Sequence, residues 1–145
     1  MIQLTEEMTR LINRARDDGF PCIVATASPD GTPNAGYIGT VLCVDDSTFV
    51  YRDRTRRQPL EHIEENPKVI VLFRNAAVDV GWKFRCTAVV ERQGDVYDDM
   101  TRRLADSGLI SDPDMEGAAI VMLRIDQVLT LFGEVLQERE AGMRW

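Results

Sequence analysis

The sequence predicts a single α+β domain, residues 1–145, built as a small barrel of short antiparallel strands with three helices beside it. Three observations carry that expectation. Short β-prone runs are separated by turn signals such as Pro29-Asp30-Gly31 and Asp45-Asp46-Ser47, the mark of a meander and not of βαβ units. The run Gly81 to Glu91 sets Trp82, Phe84, Cys86, Ala88 and Val90 on one face and Lys83, Arg85, Thr87 and Glu91 on the other, broken only by Val89. A hydrophobic fraction of 44% and a charged fraction of 28% over 145 residues suit one globular domain of ordinary size.

Element by element, Thr5 caps a first helix whose Met8, Leu11, Ile12 and Ala15 recur at helical spacing, with Glu6 and Glu7 at its positive end and Gly19 as a stop. Phe20 to Ser28 reads as a strand that is apolar or small on both sides, so a second surface must cover it. A homodimer partner is the economical candidate. A second strand runs from Thr32 to about Cys43 and a third from Thr48 to Asp53. Pro59 opens a short helix ending at Asn66, because a helix loses nothing from proline at its first position. Val69 to Phe73 is a strand covered on both faces, and Gly81 to Glu91 the next. Asp95 to Ser107 forms a helix presenting Val96, Met100 and Leu104; Ser111 to Glu116 is loop; Ala118 to Arg124 and Val128 to Leu131 are closing strands. Six or seven strands and three helices result.

The charge of −7 excludes a general affinity for nucleic acid or anionic membranes, since phosphate binding needs a positive footprint. No apolar run approaches the roughly 18 residues of a membrane span. The polar start, Met1 to Glu7, is no signal peptide, so the cytoplasm is the expected compartment. Cys22, Cys43 and Cys86 are scattered and odd in number, which argues for buried small hydrophobes over disulfides or zinc. His62 is the sole histidine, with no serine or cysteine beside it in sequence, and reads as an ordinary surface residue. Asp112, Asp114 and Glu116 lack the terminal glutamate of a calcium loop, whose twelfth position here would be Leu123. No metal site is expected.

Two constellations remain. Arg52, Arg54, Arg56 and Arg57, with Thr55 and Gln58, run into the start of the Pro59 helix. Arginine forks and free helical N–H groups match a phosphate; pairing with the acidic surplus is the other reading. In the strand Asn34-Ala35-Gly36-Tyr37-Ile38-Gly39-Thr40, two glycines leave backbone open to a flat ligand, or else mark a barrel corner. One hairpin joins the two constellations, so they should be neighbours. A flat-ring site beside a phosphate site describes flavin mononucleotide, FMN.

On Ala25 to Gly39, Asp45 to Tyr51, Leu60 to Val69 and Gly81 to Glu91, the chain resembles the FMN-binding split-barrel proteins related to pyridoxamine 5′-phosphate oxidase, in particular short bacterial members. The resemblance implies a six-stranded antiparallel Greek-key split barrel with short flanking helices, a homodimer, and FMN at the dimer interface. It places Asn34, Gly36, Tyr37, Ile38, Gly39 and Thr40 against the ring and Arg54, Thr55, Arg56, Arg57 and Gln58 at the phosphate. Trp82 and Lys83 match the family's aromatic-plus-polar strand start and could reach the cofactor from either subunit. Gln58 and Pro59 stand where the family usually has a Lys-Thr/Ser or Arg-Lys pair. The implied function is an FMN-dependent oxidoreductase or flavin electron carrier acting on a small molecule or redox partner. The alternatives are a cofactor-free dimeric binding protein on the same barrel and a deazaflavin-dependent reductase.

Overall fold

The computed structural model describes residues 1–54, 58–141 and 145, with 58 and 59 as backbone only. Along the chain come α1 (Glu6–Asn13), β1 (Cys22–Ala27), β2 (Pro33–Ile38), β3 (Leu42–Asp45), β4 (Thr48–Asp53), α2 (Gln58–Glu65), β5 (Lys68–Asn75), β6 (Val80–Glu91), α3 (Asp95–Asp106), β7 (Ala119–Thr130) and β8 (Val135–Glu138). The three helices and the antiparallel pairing are as expected. The strand count is not: the sheet has eight strands, where six were implied.

Three local causes account for the difference. The predicted strand from Thr32 to Cys43 breaks in two at the Gly39-Thr40 turn. The predicted closing strands fuse into one, β7, because a bulge opposite Arg85 and Cys86 lets the ladder continue through Asp126. That carboxylate is buried, accepting from Thr87 Oγ1 at 2.5 Å, Arg124 Nε at 2.9 Å and Trp145 Nε1 at 3.3 Å. The acidic tail after Gly133, whose φ is +97°, folds back as β8 on β7.

The sheet runs β2-β1-β5-β6-β7-β4-β3, with β8 branching from β7. It is not closed: β2 and β3, consecutive in sequence, end up at opposite edges. Ile38 and Leu42 can be at most about 15 Å apart at 3.8 Å per residue step. The sheet must therefore curl until its two edges nearly meet, leaving a split between them. Inside the curl, β5, β6 and β7 contribute Val71, Phe73, Phe84, Cys86, Leu123 and Val128, all essentially without exposed surface. Phe49 and Phe84 meet edge to face, with centroids 4.9 Å apart. A smaller cluster under α3 joins Met100 and Leu104 to Leu42, Val50 and Ile120.

The three cysteines are free and buried. Burial, reinforced for Cys22 by Cys43 and for Cys43 by Asp45, pushes both thiols up to about 12. Cys86 is raised well above its ordinary value, chiefly by burial. A thiol held neutral is a poor nucleophile. Native protein at pH 8 is expected to resist a thiol-specific reagent at all three positions and to expose all three once denatured. Rapid native labelling of any one of them would contradict this core.

Candidate functional site

A cleft of about 990 Å³ opens at the split between the two edges of the sheet. Its first wall follows from β1–β2 register. Val24 lies opposite Gly36 and Thr26 opposite Asn34, and cross-strand partners share a face, so all four line the cleft, with Ile38 beyond them. The turn leading into this wall is tightly held. Asp30 Oδ1 accepts from Thr32 N (3.0 Å), from Thr32 Oγ1 (2.8 Å) and from Ser28 Oγ, and Gly31 takes φ +89°. Those bonds, the Ser28 hydroxyl first, bring the Asp30 carboxyl down to about 2.

The two glycines prove different. A Cβ at Gly39 would stand 3.1 Å from Arg16 Cδ, so the arginine stem lies against the backbone there. A Cβ at Gly36 would meet nothing within 4 Å. No neighbour among the described residues requires glycine at that point, and the open space is the cleft itself.

The opposite wall is β4. Thr40 Oγ1 accepts from Arg52 N at 3.0 Å and donates to Arg52 O at 3.2 Å, which fastens the end of the β2 segment to the arginine-bearing strand. The start of the arginine run, Arg52 and Arg54, is therefore adjacent to the glycine strand as expected. Arg52 itself departs from its expected role. It is 4% exposed, and its guanidinium donates from Nη1 to Asp112 O (2.8 Å) and from Nη2 to Asp112 Oδ1 (2.5 Å). A buried cation needs such a partner. Arg52 straps the loop after α3 across the cleft with its two terminal nitrogens. The Arg52 bond, helped by the nearby charges of Arg52 and Arg54, holds the Asp112 carboxyl below its usual value. Arg16 braces the same loop from the other side, donating to Leu109 O (2.8 Å) and Gly108 O (3.2 Å).

Two polar atoms in these walls have no hydrogen-bond partner among the described residues: Arg52 Nε and Thr26 Oγ1, on residues 4% and 6% exposed. Beside them Tyr51 is buried, and burial raises its phenol above the ordinary range.

The structure thus brings Asn34, Gly36, Tyr37, Ile38, Gly39, Thr40 and Arg54 to one cleft. Thr55, Arg56 and Arg57 lie outside the described residues, and Gln58 is described only as the first residue of α2. Trp82 and Lys83 do not line this cleft within one chain. Trp82 packs on the core side against Phe73, rings parallel at 6.1 Å, and Lys83, the next residue along β6, occupies the opposite face of the strand. Sequence reasoning missed Thr26, Arg16, Tyr51 and Asp112 as wall residues. Asp112 stands sixty positions from Arg52, and no local signal links them.

Among the described residues, no group of three or more histidine, cysteine or acidic side chains is placed to hold a metal ion, and no helix is long and apolar enough to cross a membrane. The family model for pyridoxamine 5′-phosphate oxidase matches residues 4–132. Among solved structures, HupZ of Group A Streptococcus is similar at 27% identity, covering 92% of this chain and 99% of that one, with a TM-score of 0.76. An FMN-binding protein of Syntrophomonas wolfei is similar in fold at 14% identity, 86% and 84% coverage and TM-score 0.67. The haem storage protein HutZ of Vibrio cholerae follows at 14% identity, 88% and 94% coverage and TM-score 0.66. No curated protein matches the chain.

Proposed function

Because this chain belongs to the pyridoxamine 5′-phosphate oxidase family, we propose that its cleft holds FMN and that the protein is a homodimeric flavoprotein, an oxidoreductase or electron carrier for a small molecule. The observation that carries this reading is the pair of polar atoms without a partner among the described residues, Thr26 Oγ1 on the wall where Gly36 faces open space and Arg52 Nε on the wall opposite. Leaving such atoms unbonded in a buried site costs stability unless a ligand bonds them. The polar edge of a flavin ring offers acceptors and donors for both. The FMN-binding neighbour and the HutZ neighbour show that proteins on this fold take different cofactors. The present residues favour the flavin, since His62, the chain's one histidine, is not among the cleft's lining.

In this reading Asn34 to Thr40 present backbone to the ring, and Arg54 with Thr55, Arg56, Arg57 and Gln58 holds the phosphate at the start of α2. Bound FMN would supply the hydride or electron transfer itself. The protein's part is grip and orientation: Thr26 offers a hydroxyl, Arg52 an N–H fixed in place by Asp112, and the braced 108–112 segment covers the cleft. The homodimer rests on the outer face of the sheet, where Tyr37, Ile23 and Leu72 form one cross-strand row and Tyr37 is 72% exposed. Lys83 extends that row from β6, so a partner seated there would meet it.

Titration of the purified protein with FMN tests the reading, alongside light scattering for twice the 16.4 kDa chain mass. Flavin fluorescence should be quenched to a stoichiometric end point. Gly36→Val should abolish binding without lowering Tm, because the added side chain enters only open space. Arg56→Ala with Arg57→Ala should weaken binding by about 1.5–3 kcal/mol per charged hydrogen bond lost. Full affinity in the double variant would remove the phosphate assignment. A protein that ignores FMN but takes up haemin or a deazaflavin would replace the cofactor, and one that ignores all three would leave a cofactor-free binding protein.

A further inference from the structure

A second cleft, of about 910 Å³, lies between α3, the first turn of α2 and the segment from Pro113 to Ala118. Thr101, on the α3 side of its wall, is 6% exposed, and its Oγ1 has no hydrogen-bond partner among the described residues. A hydroxyl taken out of water and left unbonded is a standing cost, which a ligand group could relieve. Charge supplies the second observation. Glu61, Asp98, Asp114 and Glu116 line the cleft against two cations, Arg92 and Arg102. Both cations already face carboxylates outside the lining: Arg92 bonds Glu64, and Arg102 Nη1 stands 3.7 Å from Asp99 Oδ1. The wall is left with an excess of negative charge. Leu60, Tyr97 and Met115 add apolar surface beside it.

We propose that this cleft is a second ligand site, for an organic ammonium ion carrying an apolar body. Carboxylates from α3 and from the 113–118 segment would hold the cation, the Thr101 hydroxyl would accept one of its N–H groups, and the aromatic and aliphatic side chains would cover the rest. An anionic ligand is disfavoured here, in contrast to the first cleft. The two sites share one connection, because residues 109–112 line the first and 113–118 the second. The proposal stands whichever cofactor the first cleft takes.

The test compares 2-phenylethylammonium with phenylacetate, which keeps the ring and reverses the charge, by amide NMR titration. The ammonium should give saturable shifts at Tyr97, Thr101 and Glu116 while phenylacetate leaves them in place. Asp98→Asn and Glu116→Gln, both at the surface and safe for folding, should each weaken binding roughly tenfold, as loss of a charged hydrogen bond does. Thr101→Val should also bind roughly tenfold more weakly, yet melt no lower than the parent, since it removes an unbonded hydroxyl and keeps the shape. The proposal fails if no shifts appear at millimolar ammonium, or if phenylacetate binds equally. It fails as well if the shifts fall on Asn34 to Thr40, or if Thr101→Val melts lower, which would show the hydroxyl already bonded.

Discussion

Phe84→Ala is expected to cost about 3–5 kcal/mol, the range for removing a buried aromatic ring from a core. Phe84 is fully buried, with Phe49 edge-on at 4.9 Å. It pairs with Val71 on one side and Val128 on the other, within the ladders on both sides of β6. None of these neighbours can move into the space without bending a strand that is bonded on both sides. The cavity therefore persists, and its cost adds to the lost transfer energy. For a domain of this length each kcal/mol is about 2–4 °C in Tm, so the fall should be on the order of 10 °C. Phe84→Leu should lie between the two. A loss below about 1 kcal/mol for the alanine variant would mean that the core closes around the gap, contrary to this packing.

Arg52→Met should act on both stability and ligand uptake. The substitution keeps an apolar stem but removes both bonds to Asp112 and the unpartnered Nε. The strap over the cleft then loses its anchor at Asp112 while Arg16 still holds Leu109 O and Gly108 O, and cleavage by protease within 109–116 should accelerate. FMN affinity should fall roughly tenfold or more if Nε bonds the flavin. The pH profile gives an independent signature. The Asp112 carboxyl titrates lower folded than unfolded, so its pairing with Arg52 stabilises the parent above the usual carboxylate value of 3.8. That contribution is lost as pH falls below 3.8 through the folded value. The parent should lose stability across that acid window, and the variant should lose less because it has no pair to break. Identical acid profiles would show that the pair contributes nothing.

Much of this architecture was legible in local chemistry. The alternation in Gly81 to Glu91 became β6, Thr5 caps α1 by accepting from Met8 N at 3.1 Å, and Pro29-Asp30-Gly31 forms the turn its residues favour. The neighbourhood of the glycine strand and the start of the arginine run was legible too, since one hairpin joins them. Each of these depends on residues close in the chain, whose preferences act before any distant contact forms. The strand boundaries were less legible. The expected closing strands stopped at Arg124 and resumed at Val128, whereas Thr87, Arg124, Arg139 and Trp145 gather around the intervening Asp126 and make a buried carboxylate tolerable inside one strand. Gly39 looked equivalent to Gly36 until Arg16 was found lying against one and nothing against the other.

Local pattern thus determined the fold class, the helices and the two segments that meet at the split, because periodicity and turn chemistry are properties of short stretches. Which arginine is tied to Asp112, and which buried hydroxyls go without a partner among the described residues, are consequences of distant residues converging. Sequence spacing carries no term for that convergence, and only the curled sheet supplies it.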